Sequence, residues 1–431
     1  MLHVGMALPL SFFERLPKTD LHVHLDGSLR LGTLVELAKA RKVEMPSYTE
    51  DGLRDTVFKE RYGSLQEYLH GFSYTCAVMQ DEEALEQVAY ELAWDNINEG
   101  VYYIEPRFAP QLHITDRLEM AGVLLAVHRG LKRAKDEHNR SEAVRANRLP
   151  PFEYGIIVCA MRMFNEKFSR YYADLIRVHP FTPRKKIFAM ASLELAQAAV
   201  AIRKDYGVPI VGFDLAGRED GFPADDHTEA YDYVHKNFLK KTVHAGEAYG
   251  AESIFQAITD LHADRIGHGF NLFSPWLIKD ANIDDKQAYI KALSEYIADR
   301  RVTIEVCITS NLQTNPNLKA IEHHAFGDML RHRLSATFCT DNRLVSHTSV
   351  TREIMLATRA FSLSAEDLKH CIIYGFKRSF FPGSYLEKRA YVRRIIDHYE
   401  EVQRRFGVGS PKAPRVDDSG VFGAPDDLLD R

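Results

Sequence analysis

The stretch Thr19-Asp20-Leu21-His22-Val23-His24-Leu25-Asp26-Gly27 decides how the rest of the chain is read. It follows Pro17 and closes on an Asp-Gly turn signal. In a strand, residues two apart share a face. Leu21, Val23 and Leu25 then point one way, and His22 and His24 the other. Two imidazoles aimed at one spot suit a metal such as Zn2+, which takes nitrogen ligands at about 2.0–2.1 Å. Taken alone, the pair reads first as two ordinary polar residues on a half-exposed strand. Further ligands must come from elsewhere in the chain.

Outward from this strand, apolar strand-like runs recur at 101–104, 154–159, 210–215, 242–244, 265–268, 303–308 and 336–339. Helical stretches alternate with them, at 31–42, 81–99, 116–137, 192–205, 226–239, 251–262 and 285–299. The clearest is DEEALEQVAYELAWDNINE (81–99), which opens on acids and stops at Gly100. Eight strand-plus-helix units without a break in composition predict an α/β fold, a (β/α)8 TIM barrel with extra helices, over residues 1–400. The runner-up is an open doubly wound sheet, but no Gly-rich phosphate fingerprint follows the first strand. Residues 46–73 form an aromatic-rich insertion, read either as a lid or as outer packing. Residues 1–16 read as a short leader. The Gly-, Pro- and Asp-rich segment 407–431 lacks periodicity and reads as a flexible tail.

Bulk properties narrow the function. Among 431 residues, 45% are hydrophobic and 27% charged, as in ordinary globular proteins. A net charge of −5 gives no electrostatic case for nucleic acid or an anionic membrane. No apolar run approaches the roughly 18–20 residues that span a bilayer, and the start lacks the pattern of a secretory signal. Cys76, Cys159, Cys307, Cys339 and Cys371 show no CxxC spacing. That argues against a disulfide framework or a thiolate zinc site and fits a reducing, cytoplasmic compartment.

In a (β/α)8 barrel the active site lies at the C-terminal ends of the strands. Those ends carry His22 and His24, then His244-Ala245-Gly246-Glu247, then Gly267-His268-Gly269, then Thr340-Asp341-Asn342. Three histidines and a carboxylate satisfy a divalent ion and leave room for water, so His22, His24, His244 and Asp341 are assigned as ligands. Any one of them alone could be structural. Glu247, just past its strand, can reach a substrate without ligating the metal and is a proton-shuttle candidate. His268, between two glycines, could accept a proton from the metal's water. Such equipment performs hydrolytic addition at an electrophilic carbon. The mid-barrel runs YGIIVCAMR (154–162) and IVGFDLAG (210–217) hold no lysine to bridge two metals, which favours one.

The segments LHVHLDGSLR (21–30), GFDLAG (212–217), VHAGE (243–247), RIGHG (265–269), EVCITSNLQT (305–314) and TDN (340–342) resemble the adenosine deaminase family in order and spacing. The resemblance implies one Zn2+ on His22, His24, His244 and Asp341. It implies that Glu247 protonates purine N1, and that His268 and Asp341 orient and deprotonate the water. Gly217 would meet purine N3 through its backbone N–H, and Asp26 would contact a ribose hydroxyl, with His24 also at the substrate. Adenosine or 2′-deoxyadenosine would become inosine or 2′-deoxyinosine plus ammonia. One departure stands out. Where many members carry a second aspartate facing N7, this chain has Asn342, which can donate or accept. Related members act on adenine, N6-methyl-AMP or aminodeoxyfutalosine. With no phosphate cradle visible, a small purine nucleoside is the expected partner. A metal-dependent amide or ester hydrolase and a non-catalytic binding protein are the competing readings.

Overall fold

Among the described residues, nine strands, all parallel to their neighbours, carry the core: β1 (Lys18–His24), β2 (Val101–Phe108), β3 (Glu153–Tyr154), β4 (Ile156–Met161), β5 (Ile210–Ala216), β6 (Lys240–Ala245), β7 (Arg265–His268), β8 (Thr303–Val306) and β9 (Ala336–Phe338). They belong to a computed structural model that describes residues 8–408 apart from Pro316. The order is β1-β2-β4-β5-β6-β7-β8-β9, and the two-residue β3 is an annex that pairs only with β2. The two ends of this ribbon meet. His24 N donates to Asp341 O (2.7 Å) and Asp341 N donates to His22 O (2.8 Å). Thr340 Oγ1 donates to Asp20 Oδ2 (2.6 Å) across the same seam. The result is an eight-stranded barrel with helices outside it.

Sequence explains this closure. Strands such as IIVCAM and IVGFDLA are apolar along nearly their whole length, as parallel strands covered on both faces must be. On β1, Leu21 and Val23 are fully buried in the hydrophobic core, while the intervening histidines face the barrel axis. The helices stop and start where the sequence signals it. Asp81 caps Glu82–Asn98 by accepting from Ala84 N (2.8 Å). Ser384 and Glu387 form a capping box on Tyr385–Phe406.

Three regions differ in detail from the sequence reading. The insertion folds into two helices, Glu50–Thr56 and Leu65–Val78. The run expected as a strand to residue 308 ends at Val306, and a short helix, Ile308–Thr314, begins there. The start of the leader lies outside the described residues, but Leu10–Arg15 is helical and buries Phe12 and Phe13. The tail beyond Val408 also lies outside them. Among the described residues no helix is long and apolar enough to cross a membrane. All five cysteines are free and buried.

Candidate metal centre and active site

His22 and His24 lie at the C-terminal end of β1, His244 near that of β6, and Asp341 three residues past β9. One donor atom from each lies within 4.8 Å of every other. His24 Nε2 stands 3.2 Å from His244 Nε2. Asp341 Oδ1 is 3.4 Å from both His22 Nε2 and His24 Nε2. Tetrahedral ligands about 2.0–2.1 Å from a zinc ion are separated by about 3.3–3.4 Å, so the spacing fits that ion.

Protonation states fit too. His22 Nδ1 is 2.7 Å from Glu305 Oε2 and His244 Nδ1 is 3.0 Å from Asp214 Oδ2. A carboxylate can only accept, so each Nδ1 carries the proton and each Nε2 presents a lone pair. The Nε2 of His22 is buried without a hydrogen-bond partner, as an atom meant for a cation would be. Burial pushes the His24 imidazole well below its usual range, which keeps it neutral. Burial alone would raise the Asp341 carboxyl, yet its surroundings hold it well below the carboxylate range, so it presents anionic oxygen to the centre. Gly267 makes room for this packing, because a Cβ there would sit 2.9 Å from His22 Cε1.

Beneath the ligands runs a fully buried ion network. Arg107 on β2 bridges Asp214 and Glu305, each at 2.9 Å. Arg265 binds Glu305 (2.7 Å) and Glu105. Burial would raise the Asp214 and Glu305 carboxyls, yet their cationic and imidazole neighbours hold both below their ordinary values. These residues orient the histidines from behind, and such partners typically contribute 10–100-fold to metal affinity. Asp214→Asn is therefore expected to weaken zinc binding by about 10–100-fold. Chelator competition measures this, and an unchanged affinity would remove Asp214 from the support.

The reacting side is built from turns. His268 (φ +63°) and Asp341 (φ +61°) both adopt left-handed backbone at strand ends, a costly conformation for non-glycine residues that concentrates at functional sites. His268 Nε2 lies 3.8 Å from Glu247 Oε1. Its tautomer is fixed by a chain that begins at a backbone amide. Phe326 N donates to His324 Nδ1 (3.0 Å), leaving the proton on Nε2, which donates to Asn311 Oδ1 (3.1 Å). Asn311 Nδ2 then donates to His268 Nδ1 (3.2 Å). Neutral His268 accordingly holds its proton on Nε2, towards the centre. The Glu247 loop hangs from buried Glu219. That carboxylate accepts from Gly246 N (3.0 Å), Glu247 N (3.1 Å), Ala248 N (2.6 Å) and Tyr249 N (3.0 Å), and from Ser253 Oγ.

A family model for adenosine deaminase matches residues 17–198 and 181–398. The chain belongs to the adenosine deaminase family. Adenosine deaminase 1 of Streptomyces coelicolor is 36% identical over 390 residues, which cover 89% of this chain and 87% of that one. The family's members are hydrolytic deaminases of C–N bonds, and this chain stands among them. Two solved structures share the fold. One is an amidohydrolase from Burkholderia ambifaria with bound Zn (TM-score 0.74, 19% identity, covering 94% of this chain and 97% of that one). The other is the Arabidopsis N6-mAMP deaminase (TM-score 0.68, 24% identity, 90% and 99%).

Gly217, Asn342 and Asp26 follow β5, β9 and β1 at the same end of the barrel. Gly217, one residue past β5, has φ +95°, which favours glycine and turns its backbone out of the strand. Asn342 Nδ2 donates to Tyr68 Oη (2.7 Å), and its Oδ1 is buried without a partner. Tyr68 also lies 2.8 Å from Ser346 Oγ and 3.5 Å from Asp341 Oδ2, which accepts from Ser310 Oγ at 2.6 Å. Asp26 turns towards Cys76 and His113 rather than towards the four ligands. Tyr68, Ser310, Asn311, Asp214, Glu219 and Glu305 carry roles that the sequence reading did not assign.

Proposed function

We propose that this chain hydrolyses adenosine or 2′-deoxyadenosine to inosine or 2′-deoxyinosine and ammonia, with one Zn2+ held by His22, His24, His244 and Asp341. The observation that carries the reading is the convergence of bare imidazole nitrogens and a carboxylate beside the Glu247–His268 pair. When bound, zinc would lower the pKa of a coordinated water to about 7 and supply the nucleophile at neutral pH. Glu247 gives a proton to purine N1, which draws electron density from C6. His268 already carries a proton on Nε2, so it holds the attacking oxygen by donating a hydrogen bond. Asp341 is then the base for the water's proton. Gly217 N–H meets N3, Asp26 accepts a ribose hydroxyl, and Asn342 faces the N7 edge. The insertion helix Leu65–Val78 serves as a cover, since Tyr68 reaches Asn342 and the Phe72 ring stands edge-on to His24 at 6.3 Å. Residues 1–400 act as one catalytic barrel in a reducing cytoplasm, which the free cysteines suit.

The metal-loaded protein is expected to turn over adenosine and 2′-deoxyadenosine faster than adenine, N6-methyl-AMP, AMP or aminodeoxyfutalosine, read as ammonia release and an ultraviolet shift. No turnover of any 6-aminopurine would sink the reading. Preference for N6-methyl-AMP would transfer the proposal to nucleotides.

A further inference from the structure

A second group of donor atoms stands behind the Asp26 turn. Asp26 follows β1, His113 follows the single turn Pro110–Leu112 after β2, and Cys76 lies on the insertion helix. Their donor atoms all lie within 4.8 Å of one another, with Cys76 Sγ 3.8 Å from Asp26 Oδ2. His113 Nδ1 lies 2.9 Å from Met79 O. A carbonyl only accepts, so the proton is on Nδ1 and Nε2 is a bare lone pair. Both His113 Nε2 and Asp26 Oδ1 are sealed from solvent without a partner, although His113 is fully buried and Asp26 is only 3% exposed. His22 shows the same signature in the first site, with Nδ1–H fixed on an acceptor and Nε2 bare. Ring N–H donation to a carbonyl or carboxylate is the usual way a protein fixes a metal-binding histidine.

A sugar hydroxyl carries one proton and satisfies only one of these two acceptors. A cation satisfies both, and the thiol as well. We propose that Asp26, Cys76 and His113 form a second divalent-metal site, suited to Zn2+, whose occupation competes with the nucleoside sugar for Asp26. Zinc takes Cys sulfur at about 2.3 Å, His nitrogen at about 2.0–2.1 Å and carboxylate oxygen at about 2.0–2.2 Å. These lengths place tetrahedral donors about 3.3–3.6 Å apart, a small contraction from the observed sulfur–oxygen separation. On binding, the Cys76 S–H bond breaks, its proton passes to solvent, and a metal–sulfur bond forms. The ion ties the insertion helix to the barrel rim, so excess zinc acts as a brake on the site. The competition rests on the deaminase reading; the metal site does not.

Metal-stripped protein titrated with Zn2+ is expected to take two equivalents, and Cys76→Ser and His113→Gln one each. Loaded with Co2+, the unmodified protein should show a thiolate-to-metal charge-transfer absorption that Cys76→Ser lacks. Zinc beyond one equivalent should raise KM for adenosine at constant kcat, and leave KM unchanged in Cys76→Ser. Thermal unfolding of both variants separates loss of the site from loss of the fold. A single equivalent in the unmodified protein, without a thiolate band, overturns the site. Two equivalents with an unaltered KM overturn the competition. Failure of the deaminase reading would leave the stoichiometry and the band standing.

Discussion

His244→Ala is expected to leave the protein folded but without its tightly held metal, and with no turnover above background. Four protein donors share a binding free energy that, for zinc sites built of four ligands, is about 10–16 kcal/mol. Loss of one donor then removes roughly 3 kcal/mol, or about 10²-fold in affinity. The partner left behind does not become an orphan. Asp214 keeps Arg107 at 2.9 Å and the Cys159 thiol at 3.2 Å, so no buried carboxylate is stranded without a cation. The deficit should therefore appear in metal content rather than in the melting temperature. Elemental analysis after chelator dialysis, together with a thermal melt, checks this. A full equivalent of zinc in the folded variant would refute the ligand assignment.

What made these four side chains legible as one group was position rather than residue type. The period-two alternation of β1 put His22 and His24 on one face, and the strand ends fixed where His244 and Asp341 had to stand. The residues that went unassigned lack such a signal. Asp214 and Glu305 sit inside apolar strand segments, IVGFDLA and TIEV. There a single acid gives no periodicity, and its counter-ion, Arg107 or Arg265, is far away in sequence. Glu219 falls in the run Arg218-Glu219-Asp220, which reads as solvated charge. Only the fold reveals that one of its carboxylates is 2% exposed and binds a whole turn of backbone amides. The helix Leu65–Val78 was obscured by Gly71, a poor helix former. Its glycine is accounted for by packing, since a Cβ there would stand 3.0 Å from Phe58 Cε1. The strand expected to run to residue 308 stops short because the chain bends at Cys307 (ψ 78°) to start a helix. That helix delivers Ser310 to Asp341 and Asn311 to His268. The bend, and not the strand, is what the site requires.

Glu247→Gln is expected to lower kcat on adenosine by at least about 10², the low end of what a positioned general acid contributes, with KM little changed and zinc still bound. The substitution keeps the volume and the capacity to hydrogen-bond, but removes the transferable proton. It leaves the local scaffold intact, because the loop is held through backbone amides on Glu219 and through Asn271 Nδ2, which donates to Glu247 O (2.9 Å). None of these contacts involves the Glu247 carboxyl. The ionic neighbour of that carboxyl is His268, at 3.8 Å. The effect should thus fall on the chemical step and spare assembly of the site. The same variant separates the two enzyme classes that the barrel could support. A hydrolase of amides or esters has no ring nitrogen to protonate and would tolerate the glutamine. A deaminase depends on N1 protonation to make C6 electrophilic. Steady-state kinetics on adenosine, with zinc content measured on the same sample, decides between them. An undiminished kcat would remove Glu247 from the mechanism.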